Sequence, residues 1–467
     1  MIQPRQPNDQ PVIVISESED KELQARMSQP IEPPLTERPT KIRYGVLTFL
    51  CVLAFIMYVD RICLSQAMTS IEEDLGISHG KMGLVSAAFT LAYALFEVPT
   101  GWWGDKYGSR GVVTRIAIWW SLFTAMTGEA LGLYSLLAIR FLFGAGEAGG
   151  FPNTASILSR WFPAERRGVA QGCFNASAQI GGAVAPLMTA YLIQWVGWRL
   201  SFALLSLPGI AWAVAFWWWY RDDPHSHPKV NAAERQLIAA GTTKVSGEHP
   251  PIPWRAVGRC PTVWLLGAVL GCGAFNTYLY FSWYPTYLKQ GRGLDEIAAG
   301  KLASLVLTGG AIGCLSGGWI IDWLVRRTND RQRTRRRWSS SMFALAAVCL
   351  LIGKTCDSPT IAATWTAASV MCAVSTLSAW WGVVADVSGR HLGALFGLMN
   401  SLGGVGAIAS QIFVGRFADW MKSRGHTGRA QWDPMFYVYA GVLFLGAIIW
   451  LFIDTKKSVD DSSAAAA

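Results

Sequence analysis

The chain has 467 residues, of which 52% are hydrophobic and only 15% are charged. Soluble domains carry about 25% charged residues, so this composition argues against a soluble protein, and such high hydrophobicity excludes disorder for most of the chain. The sequence contains 23 tryptophans and 47 glycines. Both fit a membrane protein, because tryptophan concentrates at bilayer interfaces and glycine lets helices approach closely within the bilayer.

The net charge is +9, from 40 Lys and Arg against 31 Asp and Glu. The excess lies in short segments between apolar runs, such as 326–337, which is typical of cytoplasmic loops rather than of a nucleic-acid-binding surface. The nine cysteines are scattered without a CxxC pair. We therefore expect no disulfide framework, no metal site, no cofactor and no nucleic-acid partner.

Apolar stretches close to the roughly 20 residues needed to cross a bilayer follow one another along the chain. Residues 1–40 and 456–467 are predicted to be disordered tails, and 221–260 a polar linker between an N-terminal bundle at 41–220 and a C-terminal bundle at 261–455. The sequence thus predicts an all-α membrane protein with twelve transmembrane helices in two six-helix bundles, with spans at 44–66, 82–103, 112–131, 133–157, 169–193, 198–220, 262–288, 299–324, 339–356, 360–384, 392–418 and 434–453.

Loop charge predicts the orientation of these spans. Most basic loop residues fall on one side, which the positive-inside rule assigns to the cytoplasm together with both termini. The loop with Lys422, Arg424 and Arg429 is an exception. A weak internal repeat relates the two halves, because the pattern G-x3-G-x2-N at 168–175 recurs at 393–400. Parallel repeats predict two bundles that face each other across a central cavity.

Four ionisable residues lie within predicted spans, where a charge is costly and needs a partner. Asp60 and Arg61 are in the first span, and Arg140 and Glu147 are in the fourth. Arg140 and Glu147 are seven residues apart, so they share a helix face but are about 10 Å apart along the axis. We therefore expect pairs between the helices, Asp60 with Arg140 and Arg61 with Glu147. A purely structural clamp between the two helices is the alternative.

Polar and aromatic side chains are predicted around these charges. Each alone fits ordinary packing, but together they suit a hydroxylated organic anion that needs both charge and hydrogen bonds. The residues in question are Tyr58, Tyr93, Asn175, Tyr280, Trp283 and Asn400.

Several segments resemble the major facilitator superfamily and, within it, the anion:cation symporters, which include bacterial hexuronate, glucarate and galactonate transporters and sialin-type carriers. The segment 101–110 resembles the loop signature of the superfamily. The more specific segments are YVDR at 58–61, RFLFGAGEAGGFP at 140–152, RWFPAERRGVAQG at 160–172, YFSWYPTYL at 280–288 and GLMNSLGG at 397–404. The resemblance implies the major facilitator fold, a monomer and, with the short 69–80 loop, the bacterial inner membrane.

The resemblance also implies residue roles. Arg61 would meet the substrate carboxylate, while Asp60 and Glu147 would handle protons with Arg140 as an ion-pair partner. Gating is implied for three loop residues, Asp105, Lys106 and Arg110. A contribution to the polar wall of the substrate site is implied for Tyr58, Tyr93 and Asn175. Two positions depart from the family, since Glu97 replaces a common glutamine and Gly404 a common amide.

The predicted function is proton-coupled symport, by alternating access, of a small organic anion such as a hexuronate, aldonate or aldarate. Protons, the anion and the lipid bilayer are the predicted partners. The alternative is an exchanger of organic phosphates or other carboxylates without obligatory proton coupling. A membrane sensor for a sugar acid is a less favoured class. An enzyme is not predicted, because no nucleophile–base pair or metal cluster occurs in the predicted helices.

Overall fold

The computed structural model describes residues 37–239, 254–388 and 392–454, and the regular structure within these ranges is helical. The predicted tail at 456–467, nearly all of the tail at 1–40 and residues 240–253 of the predicted linker lie outside the described residues.

The first half contains six helices, and the described part of the linker contains two short α-helices. Their bounds are α1 Ile42–Leu75, α2 His79–Tyr107, α3 Ser109–Gly128, α4 Leu133–Glu147, α5 Gly150–Trp161, α6 Ala164–Trp219, α7 Ala232–Ala239 and α8 Trp254–Arg259. The helices of the second half are α9 Pro261–Gly291, α10 Glu296–Thr328, α11 Arg331–Thr355, α12 Pro359–Ser375, α13 Leu377–Ser388, α14 Leu392–Ser423, α15 Arg429–Trp432 and α16 Met435–Phe452.

Within the described ranges, nine helical stretches are long and apolar enough to cross a membrane. One of them is α6, whose 56 residues include both the fifth and the sixth predicted span. Its backbone leaves the helical conformation at Gly197, where φ is 76°, a value that glycine adopts without steric cost. The fourth predicted span is not a single helix. It is divided into α4 and α5, and the break follows Glu147 directly.

The helices pack in two sets. In the first half, α6 packs on α1 and α3, and α2 packs on α4. In the second half, α9 packs on α14, α10 on α12, and α11 on α16. The sets meet mainly along two lines, α2 against α14 and α6 against α10, and α1 also contacts α9. We call the membrane face at which α1 ends the Leu75 side, and the face at which α2 ends the Tyr107 side.

The start of α1 is held by the linker. Lys41 precedes the helix with a positive φ of 64° and no capping side chain. Instead, the fully buried carboxylate of Glu234 on α7 accepts hydrogen bonds from the backbone nitrogens of Ile42 (2.9 Å) and Arg43 (3.1 Å). The Arg43 guanidinium lies 3.3 Å from the same carboxylate. A carboxylate satisfies free N–H groups at a helix start and interacts favourably with its positive dipole end.

We predict that Glu234→Gln lowers stability by about 1–3 kcal/mol, because Arg43 then stays buried without a counter-charge. The measurement is thermal unfolding of the purified protein in detergent, and the expected result is a lower Tm. Glu129→Gln is the control, since Glu129 is exposed. Equal Tm values for the two variants would show that the contact contributes nothing.

Candidate functional site

A cavity of about 480 Å³ lies between the two sets of helices, from the middle of the membrane toward the Tyr107 side. Predicted site residues in its wall come from α1, α2 and α14: Tyr58, Arg61, Tyr93 and Asn400. Glu97 also lines it. Most of the remaining wall is apolar, which is the usual composition of a small-molecule site with a few orienting polar groups.

Arg61 and Glu147 form the predicted ion pair. Nη2 and Nε of Arg61 donate to a single carboxylate oxygen, Oε1 of Glu147, at 2.7 and 3.1 Å. The Glu147 side chain is fully buried, whereas 11% of the Arg61 side chain is exposed. The other carboxylate oxygen, Oε2, is buried and has no hydrogen-bond partner among the described residues. Arg61 is therefore the partner that reaches the cavity.

Aromatic rings surround the Arg61 guanidinium. Its Cζ lies 4.8 Å from the ring centre of Tyr93, 5.2 Å from that of Tyr58 and 5.3 Å from that of Phe89. Such rings attract a cation through their negative faces and compete little with an incoming anion for the N–H donors. They hold the guanidinium in place while leaving it available to a carboxylate.

The predicted pair between Asp60 and Arg140 is wrong for this conformation. Asp60 is buried and accepts a hydrogen bond of 3.1 Å from Nε1 of Trp120, while its Oδ1 has no partner among the described residues. Arg140 lies between aromatic rings, with Cζ 4.2 Å from the Phe143 centroid and 5.3 Å from that of Phe89. Its Nε and Nη1 likewise have no hydrogen-bond partner. The indole N–H of Trp120 occupies the position that the sequence assigned to the guanidinium.

The helix break after Glu147 follows from the glycines of the segment GEAGG. Gly149 has φ 87°, and a Cβ there would lie 2.5 Å from the Cβ of Thr100. Asn153 holds the break by donating from Nδ2 to the carbonyls of Gly149 (2.8 Å) and Thr100 (3.1 Å). Glu147 is thereby the last residue of α4, next to α2 and facing α1.

On the Leu75 side, polar contacts join the two sets of helices. Nε2 of Gln66 donates to the Glu296 carboxylate at 2.7 Å, and Nζ of Lys289 donates to the Gln66 carbonyl at 2.6 Å while lying 3.1 Å from Glu296. We call these three residues the Gln66 cluster. Deeper in the membrane, Nε2 of Gln411 donates to Thr90 at 3.1 Å. The cavity is thus separated from the Leu75 side by hydrogen-bonded contacts.

Glycines allow α2 and α14 to touch on the same side. A Cβ on Gly83 would lie 2.6 Å from the Gln411 carbonyl oxygen, and one on Gly415 would lie 2.3 Å from that of His79. Near them, the backbone N–H of Gly80 donates to Asp419 at 2.8 Å. Small residues at helix contacts are the usual means of close packing in membranes.

Three of the predicted substrate residues do not line the cavity. Tyr280 is buried and packs against Tyr284. Trp283 is fully buried and donates from Nε1 to the Gln411 carbonyl at 3.2 Å, which is a packing role. Asn175 is exposed and accepts a long hydrogen bond of 3.4 Å from Gln171.

Tyr278 lines the cavity instead, and sequence reasoning missed it. The π-helical stretch Leu279–Trp283 follows Tyr278 directly and contains the predicted residues Tyr280 and Trp283. A π-helical turn contains an additional residue and rotates the following side chains away from the face that an ideal α-helix predicts. The aromatic residues at 278–284 indicate that this segment could line a cavity. Which of them face the cavity depends on the π-helical turn, which the sequence pattern does not show.

The three predicted gating residues do not pair with one another. Asp105 accepts a hydrogen bond of 3.1 Å from Ser156 on α5. The Lys106 ammonium lies 4.8 Å from the ring centre of Trp102. Arg110 donates from its side chain to the Trp217 carbonyl at 3.0 Å and from its backbone N–H to Asp222 at 3.0 Å. Asp105 and Arg110 therefore contact neighbouring helices at the Tyr107 side, whereas Lys106 lies against a ring of its own helix.

Among the described residues, no group of three His, Cys, Asp or Glu side chains could hold a metal ion. All nine cysteines are free thiols.

A family model described as Major Facilitator Superfamily matches residues 50–411. The chain belongs to this superfamily. Among curated relatives, the probable sulfoacetate transporter of Cupriavidus necator is 30% identical, with 90% of this chain and 96% of that protein covered. The probable galactarate/D-glucarate transporter of Escherichia coli K12 is 30% identical over 81% of this chain and 88% of that protein. These relatives confirm the resemblance to the anion:cation symporters.

The D-galactonate transporter of Escherichia coli O6:H1 is 29% identical over 91% of this chain and 99% of its own length. Two solved structures share the fold. A bacterial homolog of the human lysosomal transporter Spinster, inward-facing and unoccupied, has a TM-score of 0.74 at 19% identity, covering 90% of this chain and 98% of its own. A D-xylose-proton symporter has a TM-score of 0.70 at 13% identity, and the match covers 89% of this chain and 99% of the symporter chain. The chain is thus a multi-pass membrane protein of a transporter family.

We predict that Gly415→Ala opens the Leu75 side, because the new methyl group would overlap the His79 carbonyl and push α2 away from α14. Thr69, which is buried on that side, is replaced by cysteine as the reporter. The expected result is faster labelling of Cys at 69 by a maleimide in the Gly415→Ala background.

Gly441→Ala is the control, since a Cβ on Gly441 meets nothing within 4 Å. Equal labelling rates in the two backgrounds would contradict the prediction.

Proposed function

We propose that the protein is a secondary active transporter that carries a small organic anion together with protons by alternating access. The observation that supports it best is the Arg61–Glu147 pair. Arg61 reaches a cavity large enough for a small metabolite, yet a single oxygen of one buried carboxylate holds it. A carboxylate or sulfonate from the cavity can replace that oxygen.

The proposed membrane arrangement has twelve crossings in two bundles, at 41–220 and 261–455, with the linker at 221–260 and both termini in the cytoplasm. In this arrangement α6 crosses twice, and α4 and α5 together cross once. The basic residues of the loops then assign the Tyr107 side to the cytoplasm. The cavity would open inward, in a monomer in the bacterial inner membrane.

The proposed substrates are sugar acids and related small anions. The curated relatives are named for sulfoacetate, galactarate, D-glucarate and D-galactonate. These molecules share one or two anionic groups, and several of them carry hydroxyl groups. The tyrosines around Arg61, with Thr90 and Asn400, offer the hydrogen bonds that hydroxyl groups need.

Proton coupling follows from the charges of this site. When an anion takes over Arg61, Glu147 loses its counter-charge in a buried position, and a proton on Glu147 restores neutrality. Its Oε2, which has no hydrogen-bond partner, can receive the proton. Anion and proton therefore favour each other's binding, and this coupling must be reciprocal.

Asp60 is proposed as a second proton-handling acid. Its Oδ1 is buried without a partner, and only the Trp120 N–H contacts the other oxygen among the described residues. A buried carboxylate with one neutral donor is poorly stabilised as an anion. Arg140, whose Nε and Nη1 have no hydrogen-bond partner among the described residues, stays a proposed member of the proton-coupling group. Asp105, Lys106 and Arg110 stay proposed gating residues.

We predict that Arg61→Ala reduces substrate affinity by at least about 30-fold, because the anion loses a charged hydrogen-bond partner. Arg61→Lys retains the charge without the planar guanidinium, so a smaller loss is expected. Binding is measured by calorimetry on folded protein, with D-galactonate and sulfoacetate as probes. Arg424→Ala, on an exposed arginine, is the control. Unchanged affinity in Arg61→Ala would move the anion site elsewhere.

We predict that Glu147→Gln retains exchange of anions across the membrane but loses uphill uptake. Glutamine still accepts a hydrogen bond from Arg61 but cannot carry the coupling proton. The measurement is uptake into liposomes with and without an inward pH gradient. Glu73→Gln, on an exposed glutamate, is the matched control.

Proton-driven accumulation at the wild-type level in Glu147→Gln would overturn this role. In the wild-type protein, substrate exchange without any effect of the pH gradient would favour the exchanger instead.

A further inference from the structure

Glu97 places a second carboxylate in the cavity, separate from the Arg61–Glu147 pair. It lies on α2, one helical turn beyond Tyr93, or about 6 Å further toward the Tyr107 side. Nδ2 of Asn400 on α14 donates to Oε2 of Glu97 at 3.2 Å. Both residues line the same cavity as Arg61. The carboxylate is thus held in place by a neutral amide from the opposite set of helices.

Arg61 is the only cationic side chain among the described residues that line this cavity. The buried guanidinium of Arg140 adjoins a separate void of about 20 Å³ behind Arg61. That volume holds about one water molecule and excludes a carboxylate. A ligand therefore meets one positive group at the inner end of the cavity and one negative group nearer its opening.

We propose that Glu97, positioned by Asn400, is a specificity residue that selects substrates with one anionic end and a neutral hydrogen-bond donor at the other, and that disfavours dianions. This inference rests on the proposed function, because it takes Arg61 as the anion site. A hydroxyl at the far end donates to the Glu97 carboxylate. A second carboxylate at that end faces a like charge in a largely apolar cavity, which is unfavourable.

The test compares two matched pairs of ligands that differ only in replacing a terminal hydroxymethyl group with a carboxylate. One pair is D-galactonate and galactarate, and the other is 2-hydroxyethanesulfonate and sulfoacetate. Dissociation constants are measured by calorimetry at pH 7.5 on the purified full chain. In the wild-type protein, we expect the hydroxyl-ended member of each pair to bind at least about tenfold more tightly.

Glu97→Gln should reduce this preference to less than about threefold, mainly by tightening the binding of the dianions. Glu97→Asp keeps the charge and should keep the direction of the preference. Glu129→Gln, on an exposed glutamate, should leave both ratios unchanged. Thermal unfolding of each variant establishes that it is folded.

A wild-type preference for the dianions, or a preference that Glu97→Gln leaves intact, would overturn the role of Glu97 while the anion site at Arg61 stands. Failure of all four ligands to bind the wild-type protein would instead overturn the proposed substrate class and this inference with it.

Discussion

The buried pair between Arg61 and Glu147 is the interaction on which the rest of the site depends. Burying a charged side chain without a partner of opposite charge is costly, so α1 and α4 must place Arg61 and Glu147 in contact. Glu147 uses one oxygen for this contact, and Arg61 keeps part of its surface in the cavity. The pair is therefore both a structural contact between helices and a site where an external anion can take the place of a protein carboxylate.

The two sets of helices also contact each other on both sides of the cavity. On the Leu75 side, the Gln66 cluster and the glycine-lined contact of α2 with α14 hold the two sets of helices together. Toward the Tyr107 side, the contact between Glu97 and Asn400 crosses the cavity between the same two helices. The hydrogen-bonded side chains on both sides can exchange partners, which suits two sets of helices that alternate between two discrete arrangements.

Much of this organisation was predictable, because a bilayer restricts the chain strongly. Apolar runs must become helices, since backbone polar groups find no water there, and a charged residue within such a run needs a partner. The seven-residue spacing of Arg140 and Glu147 excluded a direct contact between them and so predicted a partner on another helix, which for Glu147 is Arg61. The membership of the superfamily also followed from patterns along the chain.

The sequence by itself determined the helical class, the buried charges and one of their pairings, because these depend on local hydrophobicity and helical spacing. Only the tertiary structure decided which neighbours the other side chains meet. Trp120 rather than Arg140 contacts Asp60, Tyr278 rather than Tyr280 lines the cavity where a π-helical turn begins, and Asn400 reaches Glu97 from a distant helix. These contacts depend on the rotation and approach of whole helices, which small changes in backbone geometry set and no local pattern records.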